Sequence, residues 1–184
     1  MPYAGVFAAT AWMAVGPGTG AISAVPTETQ RVSNWCWLAT AVSVDRHFGG
    51  AATQCDLANA MLKQQSCCAS PASSTCNRTG VVEDALVALG RHASTTALYV
   101  GTAPDLAVVT SELGAGRPPV AQLAFNGGAN HVVVLAGSGV NGAGNEYLRV
   151  GDPSLGWNPT DLVWSQAHHY RGGVSWTHVC WTRP

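Results

Sequence analysis

Apolar and polar positions change rhythm partway along the chain. From Cys36 to Val44 the run CWLATAVSV is apolar except for Thr40 and Ser43. Cys36, Ala39, Val42 or Ser43, and Arg46 or His47 follow helical spacing. The pattern predicts a largely buried helix to Phe48, capped by Ser33 or Asn34 and stopped by Gly49 and Gly50. A second helix is expected over 54–63, with Thr53 and Asp56 as a capping box and Leu57, Met61 and Leu62 on its apolar side. A third is expected over 80–89, ended at Gly90. A fourth follows Asp105 through Leu113 and is closed by Gly114 or Gly116. Between the second and third lies QQSCCASPASSTCNRTG, whose Ser, Pro and Cys content reads as a loop.

TTALYV, 95–100, is a short strand candidate. Beyond it the apolar runs become β-branched and close together: PPVAQLAFN, HVVVLAGSG and EYLRVGDP. Glycine-rich turns separate them, with Asn141-Gly142 as one reversal, so they read as a meander. Residues 161–167 suggest a short helix behind Thr160, and GVSWTHVCWT a final strand. Helices come first and strands later. That segregation predicts an α+β fold, an N-terminal helical half packed on a C-terminal antiparallel β-sheet.

Composition narrows the class. A chain of 184 residues fits one domain, and 47% hydrophobic against 10% charged residues describes a folded one. The net charge is −1 and the nine basic residues are scattered, which excludes nucleic acid as a partner on electrostatic grounds. Residues 1–28 are apolar but broken by Gly16, Pro17, Gly18 and Gly20, and carry no Lys or Arg before that break. Stable membrane insertion is not expected from them. They read as a leader, as a prosegment, or as an extended arm on a domain spanning 29–184.

Six cysteines, four of them between 55 and 76, suggest local disulfides and a secreted or extracytoplasmic setting. If Cys36 is free, two bridges at most can form and one further thiol is left over. Which one remains open.

Cys36 stands between two tryptophans in the first turn of its helix, where unpaired amides and the helix dipole stabilise a thiolate. A nucleophile of this kind needs a base and the base an orienting partner. His131 opens the strand HVVVLAG beside small residues, and Asp152 ends the following strand. Antiparallel pairing brings the start of one strand beside the end of the next, so His131 and Asp152 are expected to meet. Gln30, six residues before Cys36, is a candidate donor to an oxyanion, with Asn34 as competitor. Trp157 is a candidate cover for the triad. His168, His169 and His178 lack metal-ligand spacing, and no metal or other cofactor is expected.

Gln30, the run Asn34-Trp35-Cys36-Trp37, His131 followed by VVV, and Asp152 after a strand resemble papain-like cysteine peptidases. The likeness covers roughly residues 29–183 and points to the bacterial SNWCW-type branch, AvrRpt2-like or C39-like. It implies a papain-like fold and a thiol protease acting on a peptide or protein. Cys36 would attack, His131 act as base, Asp152 orient it and Gln30 line the oxyanion hole. The chain lacks the Cys-Gly-Ser-Cys-Trp setting of papain and the cathepsins, which sets it outside that subgroup. Two other functions use the same residues differently. An acyl or peptidyl transferase would pass the thioester to an amine, and a non-catalytic binding module would keep the scaffold alone.

Overall fold

The computed structural model describes residues 20–22, 24–99, 102–125, 128–156, 159–172 and 174–184. In chain order the elements are β1 (Gly20–Ile22), α1 (Cys36–His47), α2 (Gln54–Leu62), α3 (Val82–Ala88), β2 (His92–Ala97), α4 (Leu106–Gly114), β3 (Val120–Phe125), β4 (Asn130–Val140), β5 (Glu146–Gly151), β6 (Thr160–Val163), a 3-10 segment (Trp164–Gly172) and β7 (Val174–Thr182). The sheet order is β2-β7-β3-β4-β5-β6, with β1 added against β4, and every pairing is antiparallel. This is the α+β architecture expected from the order of patterns. The meander holds for β3 to β6, while β7 inserts between β2 and β3.

Strand β4 explains why HVVVLA is continuous apolar rather than alternating. Val132, Val134 and Ala136 belong to the core shared with α1, α2 and α3. Val133 and Leu135 belong to a second core with α4, Leu148, Val150 and Trp176. Burial on both faces removes the need for a polar alternate. Thr40, one turn after Cys36, donates from Oγ1 to the Val132 carbonyl at 3.3 Å. This ties the first half of α1 to the residue next to His131.

Several expected boundaries shift for physical reasons. Neither Ser33 nor Asn34 caps α1. Its N-cap is Trp35 with no side-chain cap bond, because Asn34 donates from Nδ2 to the Asn77 carbonyl instead. Thr53 caps α2 by accepting from the Asp56 amide, but Asp56 accepts from the Thr53 hydroxyl at 2.6 Å rather than from its backbone. The expected strand at 95–100 begins earlier, at His92, because the β7 backbone recruits a polar, half-exposed edge with little hydrophobic signal. Residues 160–163 form a strand rather than a helix. There Arg149 and Asp161 sit directly opposite and pair at 2.7 and 2.9 Å, and helical turns begin only at Trp164. At the β4–β5 reversal, Asn141 Oδ1 accepts from the amides of Ala143 and Asn145, and the positive φ falls on Gly144, not Gly142.

The loop after α2 is closed by two disulfides, Cys55–Cys68 and Cys67–Cys76. Cys36 and Cys180 are free thiols. Gly80 ends that loop against the helix of Cys36: a Cβ there would meet the Trp37 ring at 2.6 Å. Gly80→Ala is expected to cost about 1–3 kcal/mol through overpacking. Gly142→Ala, with open space around it, should stay within about 0.5 kcal/mol. Urea denaturation of the two variants checks the contrast.

Candidate active site

The first turn of α1 is held from outside the helix. Trp35 and Trp37 are both buried. Their indole nitrogens donate to the carbonyls of Cys76 and Arg78 at 2.7 and 3.1 Å. Asn77 accepts from the Asn34 amide at 3.0 Å and donates from Nδ2 to Ser33 Oγ at 3.1 Å. The disulfide-closed loop is therefore clamped over the residues that flank Cys36. Cys36 itself is partly exposed between its two buried neighbours. Its amide lies in the first turn, where no intrahelical acceptor exists.

His131 and Asp152 meet. His131 donates from Nε2 to Asp152 Oδ1 at 2.7 Å, and both side chains are buried. The register is the reason: β4 and β5 pair antiparallel, with Val134 opposite Gly151, so the chain leaving β5 passes the start of β4. Gly151 permits the approach, since a Cβ there would meet Thr27 Oγ1 at 2.6 Å and Val134 Cγ1 at 2.7 Å. Cys36 is near enough to the imidazole to favour its charged form. With Nε2 on Asp152, Nδ1 is the ring nitrogen left for the thiol.

Asp152 is the most heavily bonded group of the site. Oδ1 also accepts from the Ser154 amide and hydroxyl at 2.8 and 2.7 Å. Oδ2 accepts from the Tyr170 hydroxyl at 2.7 Å and from Arg171 Nη1 at 3.1 Å. Burial, the largest influence, pushes its carboxyl up. Bonds from His131, Tyr170 and Ser154, with the attraction of the imidazolium, outweigh it and hold Asp152 well below the usual carboxylate range. Burial likewise opposes charging of His131, yet Asp152 and Cys36 together push it up to about 9. Burial and the neighbouring Asp152 push the Tyr170 phenol above its ordinary range, so it remains a donor.

Gln30 is brought to the same cleft but its amide is occupied. Nε2 donates to the carbonyls of Val32 and Ser33 at 3.0 and 2.8 Å. Oε1 is buried with no partner among the described residues. The Gln30 amide donates to the Pro153 carbonyl at 2.9 Å, joining its loop to the turn after Asp152. Gln54 at the start of α2 fixes the other side, accepting from the Arg31 amide at 3.1 Å and donating to the Thr29 carbonyl at 2.8 Å. Gln30, Phe125, His131, Ser154 and Arg171 line an open cleft of about 390 Å³.

Trp157 lies outside the described residues, as do the side chains of His168 and His169. His178 is exposed on β7. The one metal-like grouping among the described residues, Cys55, Asp56 and Cys68, has its two sulfurs joined in a disulfide. Sequence reasoning missed Asn77, Gln54, Tyr170 and Arg171. Asn77 had the faint signal of directly following a loop cysteine, and Tyr170 and Arg171 had none.

A match to the model of the Peptidase_C39 like family spans residues 22–178. The chain belongs to that family, and so to the cysteine-peptidase-like proteins. Among curated proteins none matches the chain. No helix among the described residues is long and apolar enough to cross a membrane.

The pair has a signed pH signature. The folded His131 titrates near 9 against 6.5 for the free imidazole, so its stabilisation is complete below about 6.5 and lost as pH rises through about 9. Asp152 shifts the other way from 3.8, so its contribution is present above about 4 and lost as pH falls. The Tm gap between wild type and Asp152→Asn should be widest between about pH 4 and 6.5 and narrow towards pH 10. A thermal melt series over that range tests this; a gap flat from pH 6 to 10 contradicts it.

Proposed function

We propose that the chain is a cysteine peptidase of the bacterial SNWCW-type branch, hydrolysing peptide bonds through Cys36, His131 and Asp152. The observation carrying this is the buried His131–Asp152 bond, with Cys36 at the start of α1 near enough to favour the charged imidazole. His131 takes the thiol proton at Nδ1, and Cys36 Sγ attacks the substrate carbonyl. The tetrahedral intermediate collapses as His131 returns the proton to the leaving amine, and a thioester remains. His131 then activates water to release the acid. Asp152 holds the ring through Nε2 and stabilises the imidazolium throughout.

The Cys36 backbone amide is the first donor to the oxyanion. Gln30 joins it by exchanging one of its two loop carbonyls for the substrate oxygen. The two disulfides support a secreted or extracytoplasmic setting for the enzyme. A transferase would share every step up to the thioester, and competition between water and an added amine in product mass spectra separates the two.

Cys36→Ala should abolish peptide hydrolysis and labelling by a thiol-directed electrophile; retained turnover would sink the proposal. Asp152→Asn should lower kcat by about 10²- to 10⁴-fold with the fold intact. Gln30→Ala should cost about 10²- to 10³-fold in kcat with little change in KM if its amide turns to the oxyanion. An unchanged kcat assigns the hole to backbone amides alone.

A further inference from the structure

Arg171 is not consumed by the reaction just described. It is the last residue but one of the 3-10 segment and has φ +50, a left-handed conformation that a non-glycine residue holds at a cost and that clusters at functional sites. One nitrogen does its local bonding. Nη1 donates to Asp152 Oδ2 at 3.1 Å and to Ser154 Oγ at 2.7 Å. The guanidinium carbon sits 5.9 Å over the Phe125 ring. Its plane is thus fixed from one end and from one face.

The other edge of the guanidinium is uncommitted. Nε and Nη2 have no hydrogen-bond partner among the described residues, and the side chain is 37% exposed on the cleft that also holds His131. That edge is the planar fork that receives a carboxylate through two parallel hydrogen bonds. The charge balance points the same way. No carboxylate lines the cleft among the described residues, and Asp152, buried beneath it, is shared by both His131 and Arg171. A clamp on Asp152 alone accounts for Nη1 and leaves Nε and Nη2 without a role. A fork already immobilised also loses little entropy on binding.

We propose that Arg171 is a specificity-determining residue that holds a carboxylate of the peptide substrate beside the scissile bond, so that the cleft selects acidic peptides. This rests on the peptidase reading and names its substrate class. The carboxylate is either an Asp or Glu side chain or a free C-terminus, and the test separates them.

The probes are acetylated, amidated decapeptides with a single Glu scanned through a neutral sequence. Their Gln counterparts and free-acid forms complete the set. The full chain and its Arg171→Gln variant are compared by the ratio of kcat/KM for each acidic peptide to its neutral twin. A ratio of roughly ten to a hundred is expected at one position in the wild type, from a charge-assisted pair. It should fall towards one in Arg171→Gln and recover only in part in Arg171→Lys. A rate loss shared by both twins reports the clamp on Asp152 and leaves the ratio untouched. Preference for the free-acid forms assigns the carboxylate to the C-terminus, and preference for internal Glu assigns it to a side chain.

Calorimetric binding of the same peptides to Cys36→Ala reads the preference without turnover. Carboxylate-selective binding without hydrolysis by the wild type would therefore overturn the peptidase reading and keep the Arg171 site. Equal or absent binding of the acidic peptides, or a ratio unchanged in Arg171→Gln, overturns the Arg171 proposal and leaves the peptidase reading standing.

Discussion

Strand β4 runs through the middle of the molecule with Val132, Val134 and Ala136 turned towards α1 and Val133 and Leu135 towards α4. With apolar neighbours on both faces, a one-residue slip would move every side chain into the wrong core. His131 is thus held at a fixed height beside the N-terminal half of α1, and the Thr40 to Val132 bond repeats the constraint in polar form. His131 and Cys36 belong to different elements, and their relative position follows from the packing of α1 on β4.

Asp152 inherits its place from the same strand. The β4–β5 register delivers it to His131, and the absence of a side chain on Gly151 lets Thr27 and Val134 crowd in behind it. Once there it accepts hydrogen bonds from four residues, His131, Ser154, Tyr170 and Arg171. A buried carboxylate is costly unless its lone pairs are met, and here they are met on both oxygens. The outcome is a fixed anion whose orientation does not depend on its histidine partner alone.

Much of this was legible in residue order because it depends on local pattern plus one pairing rule. The helix start at Cys36, the apolar strand after His131 and the hairpin to Asp152 need only adjacency of consecutive strands. What escaped depends on contacts distant in sequence. The insertion of β7 between β2 and β3, the strand at 160–163 and the partners of the four bridged cysteines are decided by surfaces that form only on folding. Ser33 and Asn34 look like helix caps by type. Asn77, more than forty residues away, takes Asn34 for another purpose, a competition invisible to propensity. Arg171 was silent for a different reason: its left-handed backbone and its place over Phe125 follow from an irregular segment with no periodic pattern.

The two tryptophans around Cys36 resolve a tension between reactivity and order. In the proposed peptidase Cys36 must be reached by substrate and so cannot be covered, and the first turn of a helix is where fraying begins. Trp35 and Trp37 bury themselves on either side and spend their indole N–H groups on the carbonyls of Cys76 and Arg78. Those carbonyls are worth holding only if their own loop is ordered. That loop is polar and rich in serine and could not bury enough apolar surface to order itself. The Cys67–Cys76 bridge restricts it in the unfolded chain, and Gly80 lets its end close on the Trp37 ring. The disulfides, with Cys55, Cys67 and Cys76 buried in the core beside α1, therefore tie to that core the rim that keeps the partly exposed Cys36 in register with His131.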